Sequence, residues 1–575
     1  MSALRPLLID RLPHEILLII FEIAVDVERP HETFLLKSGD DSKPIYYSPH
    51  VQETISHVCK EWRAVALRAS SLWNTLHFNK VSDIHRAREY CQRVASSSYF
   101  DILILTVSEE DYNKSGRRRL WKDELEEIFS LLAPHTSRWR SFHLQVRDGR
   151  CKQVARKYIG TQVGKLCGPA PKLQTWQLYH FEDYRRQEDL REATFRQPVI
   201  CFENEIPNLK HLSLIGVNLP WNSPYLQGLH SLELCLHPEN IRPDYTDWHN
   251  MLTRSPELKS LFLHYSGPKF REVKWPSMPD IVLPQLEYLG FVDLEPDYLQ
   301  AITATLQVTN VARLKLELGD ADDETFFYNN WLKSISTPTP RFQSLTSLTI
   351  TALQCDDPSL KLFLGTLPEL TELELKHSVW LNVWRMFVDD LKWKEVTGPD
   401  GIVKGVSAGT GDDPLLLPKL GVLKVRGTRI DESSDCRCNV KLLLKFRERE
   451  GPNPRPRHES PVPHSASDRP VFTIVGTLPV QVLPPAGAGT SDRNRQTNVL
   501  RRLVQADRLT DDRSQDAEND INLNWKVLVD IEDITDDDED DVDDEDEEAY
   551  GSGEEDDDVD VDDDLLEEGD IEDED

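Results

Sequence analysis

The chain has little of what usually announces chemistry of its own. Its nine cysteines are odd in number and scattered through 575 residues. The lone Cys436-Arg-Cys438 has no second pair at zinc-ligand spacing, so neither a disulfide framework nor a zinc site is expected. No His-Glu-x-x-His occurs. Gly160-Thr-Gln-Val-Gly164-Lys165 is one residue short of a phosphate-binding loop and runs on into Leu166 instead of serine or threonine. Gly405-Val-Ser407-Ala-Gly409 has nucleophile-elbow spacing, but it lies in a glycine-rich stretch with no apolar strand before it and no helix after it. The expectation is a protein with no catalytic residues, no metal and no cofactor.

Long apolar runs are also missing. The longest, Ile16 to Val25, is interrupted by Glu22 and falls far short of the ~20 residues a membrane span needs. The opening MSALRPLLIDRLPHE spaces its charges too closely for a secretory core. These features predict a protein of the cytoplasm or nucleus with no membrane partner. A basic excess is lacking as well. The net charge is −34, but residues 530–575 hold 31 Asp and Glu with no Lys or Arg, leaving 66 basic against 69 acidic side chains in the rest. A nearly balanced body is not a nucleic-acid binder, so no direct nucleic-acid partner is expected. The tail 530–575 is disordered by composition. It reads as a solubilising polyanion, as a contact for basic proteins such as histones, or as an internal cover over a basic region. The last two weaken with salt, because exposed charges are screened within about 10 Å at 0.1 M.

What is present concentrates in the first eighty residues. LPHEILLIIFEIA begins at Leu12, and ISHVCKEWRAVALRASSLWNTL follows from Ile55. Pro13 suits the first turn of a helix and Glu15 complements its N-terminus. Ile16, Leu17, Ile20, Phe21 and Ala24 fall on one side, with Leu18, Ile19 and Ile23 on the other. A helix apolar almost all round needs cover on two sides, one of them from a partner. In the second segment Ile55, Val58, Trp62, Val65, Ala66 and Ala69 form an apolar stripe.

Leu-Pro-x-Glu-Ile-Leu-x-x-Ile-Phe, then Val-Cys-x-x-Trp-Arg, then Leu-Trp, resembles an F-box. It is similar in particular to the expanded F-box-like proteins of mushroom-forming fungi. The likeness covers residues 10–78, within a module at 8–80, and residues 28–50 stand as an insertion between its helices. The resemblance implies binding of the Skp-type adaptor of an SCF ubiquitin ligase, and through it of the cullin and RING subunits. The residues implied are Leu12, Pro13, Glu15, Ile16, Leu17, Ile20, Phe21, Val58, Cys59 and Trp62, divided between the adaptor and the module's own core. Leu17 and Phe21 stand first as binding hot spots. Trp62 and Trp73 suit core anchors, and Cys59 a small buried hydrophobe.

From residue 100 a strand-like pattern recurs. FDILILTV (100–107) and WRSFHLQV (139–146) flank a helical stretch at Trp121–Leu132. PKLQTWQL (171–178), PNLKHLSL (207–214), PELKSLFL (256–263), PQLEYLGF (284–291), PELTELEL (368–375) and PKLGVLKV (418–425) then repeat Pro-x-Leu-x-x-Leu-x-Leu. This resembles a degenerate leucine-rich repeat. The expected fold class is α/β: an all-α F-box-like module, an irregular leucine-rich-repeat solenoid over 85–448, a mostly disordered linker over 449–529 and the tail. Two separate α/β domains are the alternative. Repeat geometry would turn the non-leucine strand positions, such as His211, Ser213, Glu372 and Glu374, toward a protein substrate. Trp380, Trp384 and Trp393 read as core, and LLLKFRERE (442–450) as a capping helix. The apolar islands 472–483, 498–509 and 521–531 either dock back on the body or bind another protein. The function expected from the resemblance is substrate recognition in an SCF-type ligase. The alternatives are an interaction scaffold outside any ligase and an acidic-tail binder of basic proteins.

Overall fold

The computed structural model describes residues 12–26, 34–36, 51–160, 166–180, 197–270, 275–318, 328–376, 393–397, 403–408, 417, 419–426 and 473–477. All belong to one of the two units into which the chain divides, Met1–Ile531; the other is Glu532–Asp575.

Each clear Pro-x-Leu copy builds the same local structure. Where the proline is described it takes the second place of a turn that the leucine closes: Leu173 N–H donates to Ala170 O at 3.1 Å, Leu258 N–H to Ser255 O at 3.0 Å, and Leu286 N–H to Leu283 O at 3.3 Å. Proline's fixed φ suits that place. A strand begins four residues after each proline: β4 (Thr175–His180), β5 (His211–Ile215), β7 (Ser260–His264), β9 (Tyr288–Val292), β13 (Glu372–Lys376) and β16 (Val422–Arg426). The remaining strands of the sheet are β1 (Thr75–Phe78), β2 (Phe100–Leu105), β3 (Trp139–Val146), β6 (Ser231–Cys235), β11 (Arg313–Glu317), β12 (Ser347–Thr351) and β17 (Thr473–Thr477). They make one thirteen-stranded sheet that runs in sequence order from β1 to β17, with every pairing parallel. Outside it, β8 (Ile281–Val282) and β10 (Leu306–Gln307) pair only with each other.

Parallel neighbours need a crossover between them, and here many crossovers are helical. They include α4 (Ser82–Arg93), α5 (Glu109–Lys114), α6 (Lys122–Leu132), α7 (Gly149–Ile159), α8 (Tyr245–Thr253), α9 (Pro296–Thr305), α10 (Asn329–Ser336) and α11 (Asp357–Gly365). Side-chain caps start several of them. Asp148 accepts from Cys151 N at 2.8 Å and Asp356 from Ser359 N at 2.7 Å, satisfying amides that a helix start leaves unpaired. Their apolar sides share a single core with one face of the sheet, including Leu212, Leu214, Leu232, Leu234, Leu261, Leu263, Leu373 and Leu375. Trp139, Phe142, Trp176 and Phe202 meet at its centre, with Trp139 and Phe142 ring centroids 4.7 Å apart.

The chain leaves the sheet by a repeated device. Gly216, Leu236, Tyr265, Asp293 and Ala352, each just past a strand, have φ between 45° and 62°. Each donates its N–H to the last carbonyl of the next strand, for example Ala352 to Lys376 O at 3.0 Å. A left-handed residue there turns the chain out of the sheet while keeping its amide paired. At the non-glycine positions this costs backbone strain of about 1–2 kcal/mol each.

This architecture corrects the expected one. An all-helical module followed by a leucine-rich-repeat solenoid is not what the chain forms; it is one α/β fold on a continuous parallel sheet. The first three helices, α1 (His14–Asp26), α2 (Val51–Val58) and α3 (Lys60–Arg68), are not a separate body. Leu17, Phe21 and Val25 sit in the same apolar core as the strands, and β1 lies inside the 8–80 span yet pairs with β2. The single helix read through 55–69 is also broken. Cys59 is extended (φ −155°, ψ 171°), and its Sγ accepts from Trp62 N at 3.4 Å, capping α3.

Residues 473–477 of the island at 472–483 form β17, paired with β16. Trp393 and Ser407 lie on a two-stranded antiparallel pair, β14 (Trp393–Thr397) and β15 (Val403–Ala408). The expectations for Trp380, Trp384, residues 442–450, the other two islands and the acidic tail lie outside the described residues.

Candidate functional site

Two surfaces stand out, and the first is α1. Its inner side is buried, with Phe21 packed on Trp62 at 4.9 Å between ring centroids. Its outer side carries Ile16, Ile19, Ile20 and Ile23, which are 43%, 50%, 42% and 57% exposed. Those four recur at i, i+3, i+4 and i+7, so they form one stripe. Val58 and Leu67, on the neighbouring helices, are exposed too. Single exposed aliphatic residues are ordinary, whereas a contiguous set marks an interaction surface.

The residues implied by the resemblance divide accordingly. Ile16, Ile20 and Val58 are exposed, as are Pro13 and Glu15. Pro13 O accepts from Ile16 N and Leu17 N, both at 3.0 Å, and so starts the helix. Leu12 and Trp62 are half-buried against the core. Leu17 and Phe21 are 1% exposed, which removes them as hot spots. Cys59 is exposed and serves as a cap instead of filling a core. Ile19 and Ile23 are absent from the implied set; the all-round apolar character of the helix contained them, but only the buried side could say which half faces out.

The second surface is the sheet face that the core does not use. Strand register places His143, Gln177, Ser213 and Glu233 side by side on it. Gln177 Oε1 lies 2.8 Å from His143 Nδ1, and because the amide oxygen only accepts, that ring nitrogen carries the proton. Burial pushes His143 down to about 4, so the ring is neutral at pH 7. Ser213 Oγ donates to Glu233 Oε2 at 2.7 Å, and Tyr179 OH donates to the same oxygen at 3.2 Å. Burial, and then the Glu233 charge, raise the Tyr179 phenol well above its usual range.

Onto this row docks Phe34–Leu36, part of the 28–50 insertion. Leu36 N–H donates to Gln177 Oε1 at 2.8 Å, and Gln177 Nε2 donates to Leu36 O at 2.6 Å. The Leu36 side chain joins a small second apolar cluster with Leu103, Leu105, Tyr179, Ile215, Cys235, Phe262 and Val292.

Of the predicted substrate positions, only Ser213 belongs to this network. His211 is two residues earlier on the same strand and its Nδ1 lies 2.7 Å from Ser231 Oγ. Glu372 pairs with Lys424, and Glu374 lies 3.8 Å from Lys376 Nζ. Six strand spacings separate β5 from β13, or about 29 Å at ~4.8 Å each, so the four residues do not form one site. Gln177 and His143 were missed because a polar residue between apolar ones looks the same whether it is solvated or buried.

Among the described residues no group of His, Cys, Asp or Glu could hold a metal ion, and no helix is long and apolar enough to cross a membrane. Ser407 sits within a strand, not on a strand-to-helix turn. No protein-family model and no curated protein matches this chain.

Proposed function

We propose that this protein is a substrate-recognition subunit of an SCF-type ubiquitin ligase. The outer side of α1 holds a Skp-type adaptor, which brings the cullin and RING subunits, and the sheet face outside the main core holds a protein substrate. The observation that carries this reading is the stripe Ile16, Ile19, Ile20 and Ile23, exposed on a helix whose other side is fully packed. It falls where the Leu-Pro-x-Glu-Ile-Leu motif resembles an F-box. Fully burying an aliphatic side chain contributes about 1.5–3 kcal/mol, so covering four half-exposed isoleucines supplies roughly 3–6 kcal/mol. Association itself costs about 4–15 kcal/mol. The stripe is therefore an anchor that needs a wider contact, to which Val58 and Leu67 belong. Ubiquitin transfer would then follow from proximity, the receptor raising the effective concentration of substrate lysines.

Co-purification with a Skp-type adaptor tests this. The full chain should retain the adaptor, and Ile16→Asp with Ile20→Asp should lose it without a fall in melting temperature. A folded wild-type chain that ignores the adaptor would leave an interaction scaffold as the better reading.

A further inference from the structure

The contact between Gln177 and Leu36 has the chemistry of peptide recognition. One side-chain amide satisfies both backbone polar groups of a single residue, with bonds of 2.8 and 2.6 Å. Such a contact reads backbone and not side chain, so any non-proline residue in the same conformation satisfies it. Selectivity comes from the apolar cluster that receives the Leu36 side chain. That cluster is distinct from the main core and runs on to Phe262 and Val292, three and four strands beyond Gln177.

Gln177 is also set in place independently of its guest. It is fully buried, and His143 Nδ1 fixes its oxygen at 2.8 Å. Its nitrogen is differently placed. Besides Leu36 O it reaches Ser213 Oγ at 3.5 Å, at the limit of a hydrogen bond, and the Tyr179 hydroxyl. Emptying the site would take from the buried Gln177 amide its two bonds to Leu36, whereas exchanging one peptide for another keeps both. The site therefore favours exchange over vacancy.

We propose that the sheet face outside the main core is a groove for a peptide bearing a leucine-like side chain, read by Gln177, and that Phe34–Leu36 is this chain's own occupant, displaced when a partner's peptide binds. The inference rests on the substrate-surface reading above and names the chemistry that surface selects. Displacement is an exchange of non-covalent contacts. It places the substrate on the same face that Phe34–Leu36 otherwise occupies.

The test uses the full chain and a fluorescent heptapeptide copying residues 32–38 (ETFLLKS), read by anisotropy. Leu36→Ser weakens the internal occupant, so that variant should bind the peptide at least tenfold more tightly than wild type. A peptide with serine in the place of Leu36 should lose this binding, and Gln177→Met added to Leu36→Ser should return affinity to the wild-type level. Equal affinities for wild type and a Leu36→Ser chain of unchanged melting temperature would overturn the proposal, as would equal binding of the serine peptide. If Gln177→Met unfolds, the two peptides on Leu36→Ser decide alone. Adaptor binding is read separately. Peptide capture without adaptor binding leaves the groove and removes the ligase; adaptor binding without peptide capture removes only the groove.

Discussion

The two faces of the sheet are built from alternate residues of the same strands, yet they differ in almost every respect. One face gives its leucines and isoleucines to a single core shared with the helices. The other carries the His143–Gln177–Ser213–Glu233 row and a cluster of eight buried apolar residues. The first needs only shape and apolarity, which a repeated Leu-x-x-Leu-x-Leu supplies. The second needs particular polar atoms at particular places, and the pattern says nothing about those. Stability lives on the helical face, and the proposed groove would place selectivity on the other. Helix α1 repeats the contrast within one element, its inner side core and its outer side bare.

The comparison can be broken most severely on α1. Replacing both Leu17 and Phe21 by Asp puts two charges where the side chains are 1% exposed, and the protein should fail to fold, with no cooperative melt. The same change at Ile16 and Ile20 should leave the melting temperature within a few degrees. Comparable melts for the two double variants would erase the distinction between the sides.

Next is the core of the sheet. Trp176 is fully buried against Phe202 and Tyr225, and Trp176→Ala should cost about 3–5 kcal/mol by denaturant unfolding. An alanine change that costs under about 1 kcal/mol would contradict the packing described here.

The face outside the main core should show itself through pH. The folded His143 value, about 4, lies below its ordinary 6.5. Its neutral form therefore supports the fold above pH 6.5, and that contribution is lost as pH falls through 6.5 toward 4. His237, pushed by burial to about 3, acts in the same direction. His143→Asn should lessen the fall in stability across that window without abolishing it. An unchanged slope would mean that His143 is not held neutral.

The smallest effect concerns the strand exits. Ala352 has φ 50°, where glycine is free of the side-chain penalty. Ala352→Gly should raise stability by up to about 1 kcal/mol, a melting shift of a few degrees or less. A clear loss of stability would show that the turn is not strained.

How much of this the sequence disclosed follows from the same asymmetry. The Pro-x-Leu copies located strands because proline, turn and leucine act over four residues, a range that local pattern captures. The helix Trp121–Leu132 was legible for a similar reason. The two-part architecture was misread because Thr75–Phe78, four residues at the end of a helical motif, carries too little periodicity to reveal that it founds the sheet. The break at Cys59 was hidden because a cysteine capping a helix looks like a cysteine inside one. On α1 the apolar surplus exceeds what one buried side takes up, and four isoleucines stay exposed, but choosing Leu17 and Phe21 for the outside required knowing where Trp62 would pack. Leu36 was unreadable, since its partner Gln177 lies 141 residues away.

The most direct test of the central claim is adaptor co-purification by three full-length chains, with melting curves alongside: wild type, Ile16→Asp/Ile20→Asp, and Ile19→Asp/Ile23→Asp. The account predicts that wild type retains the Skp-type adaptor while both variants melt like wild type and lose it. Retention of the adaptor by both folded variants would show that the outer side of α1 is not the docking surface and would contradict the assignment.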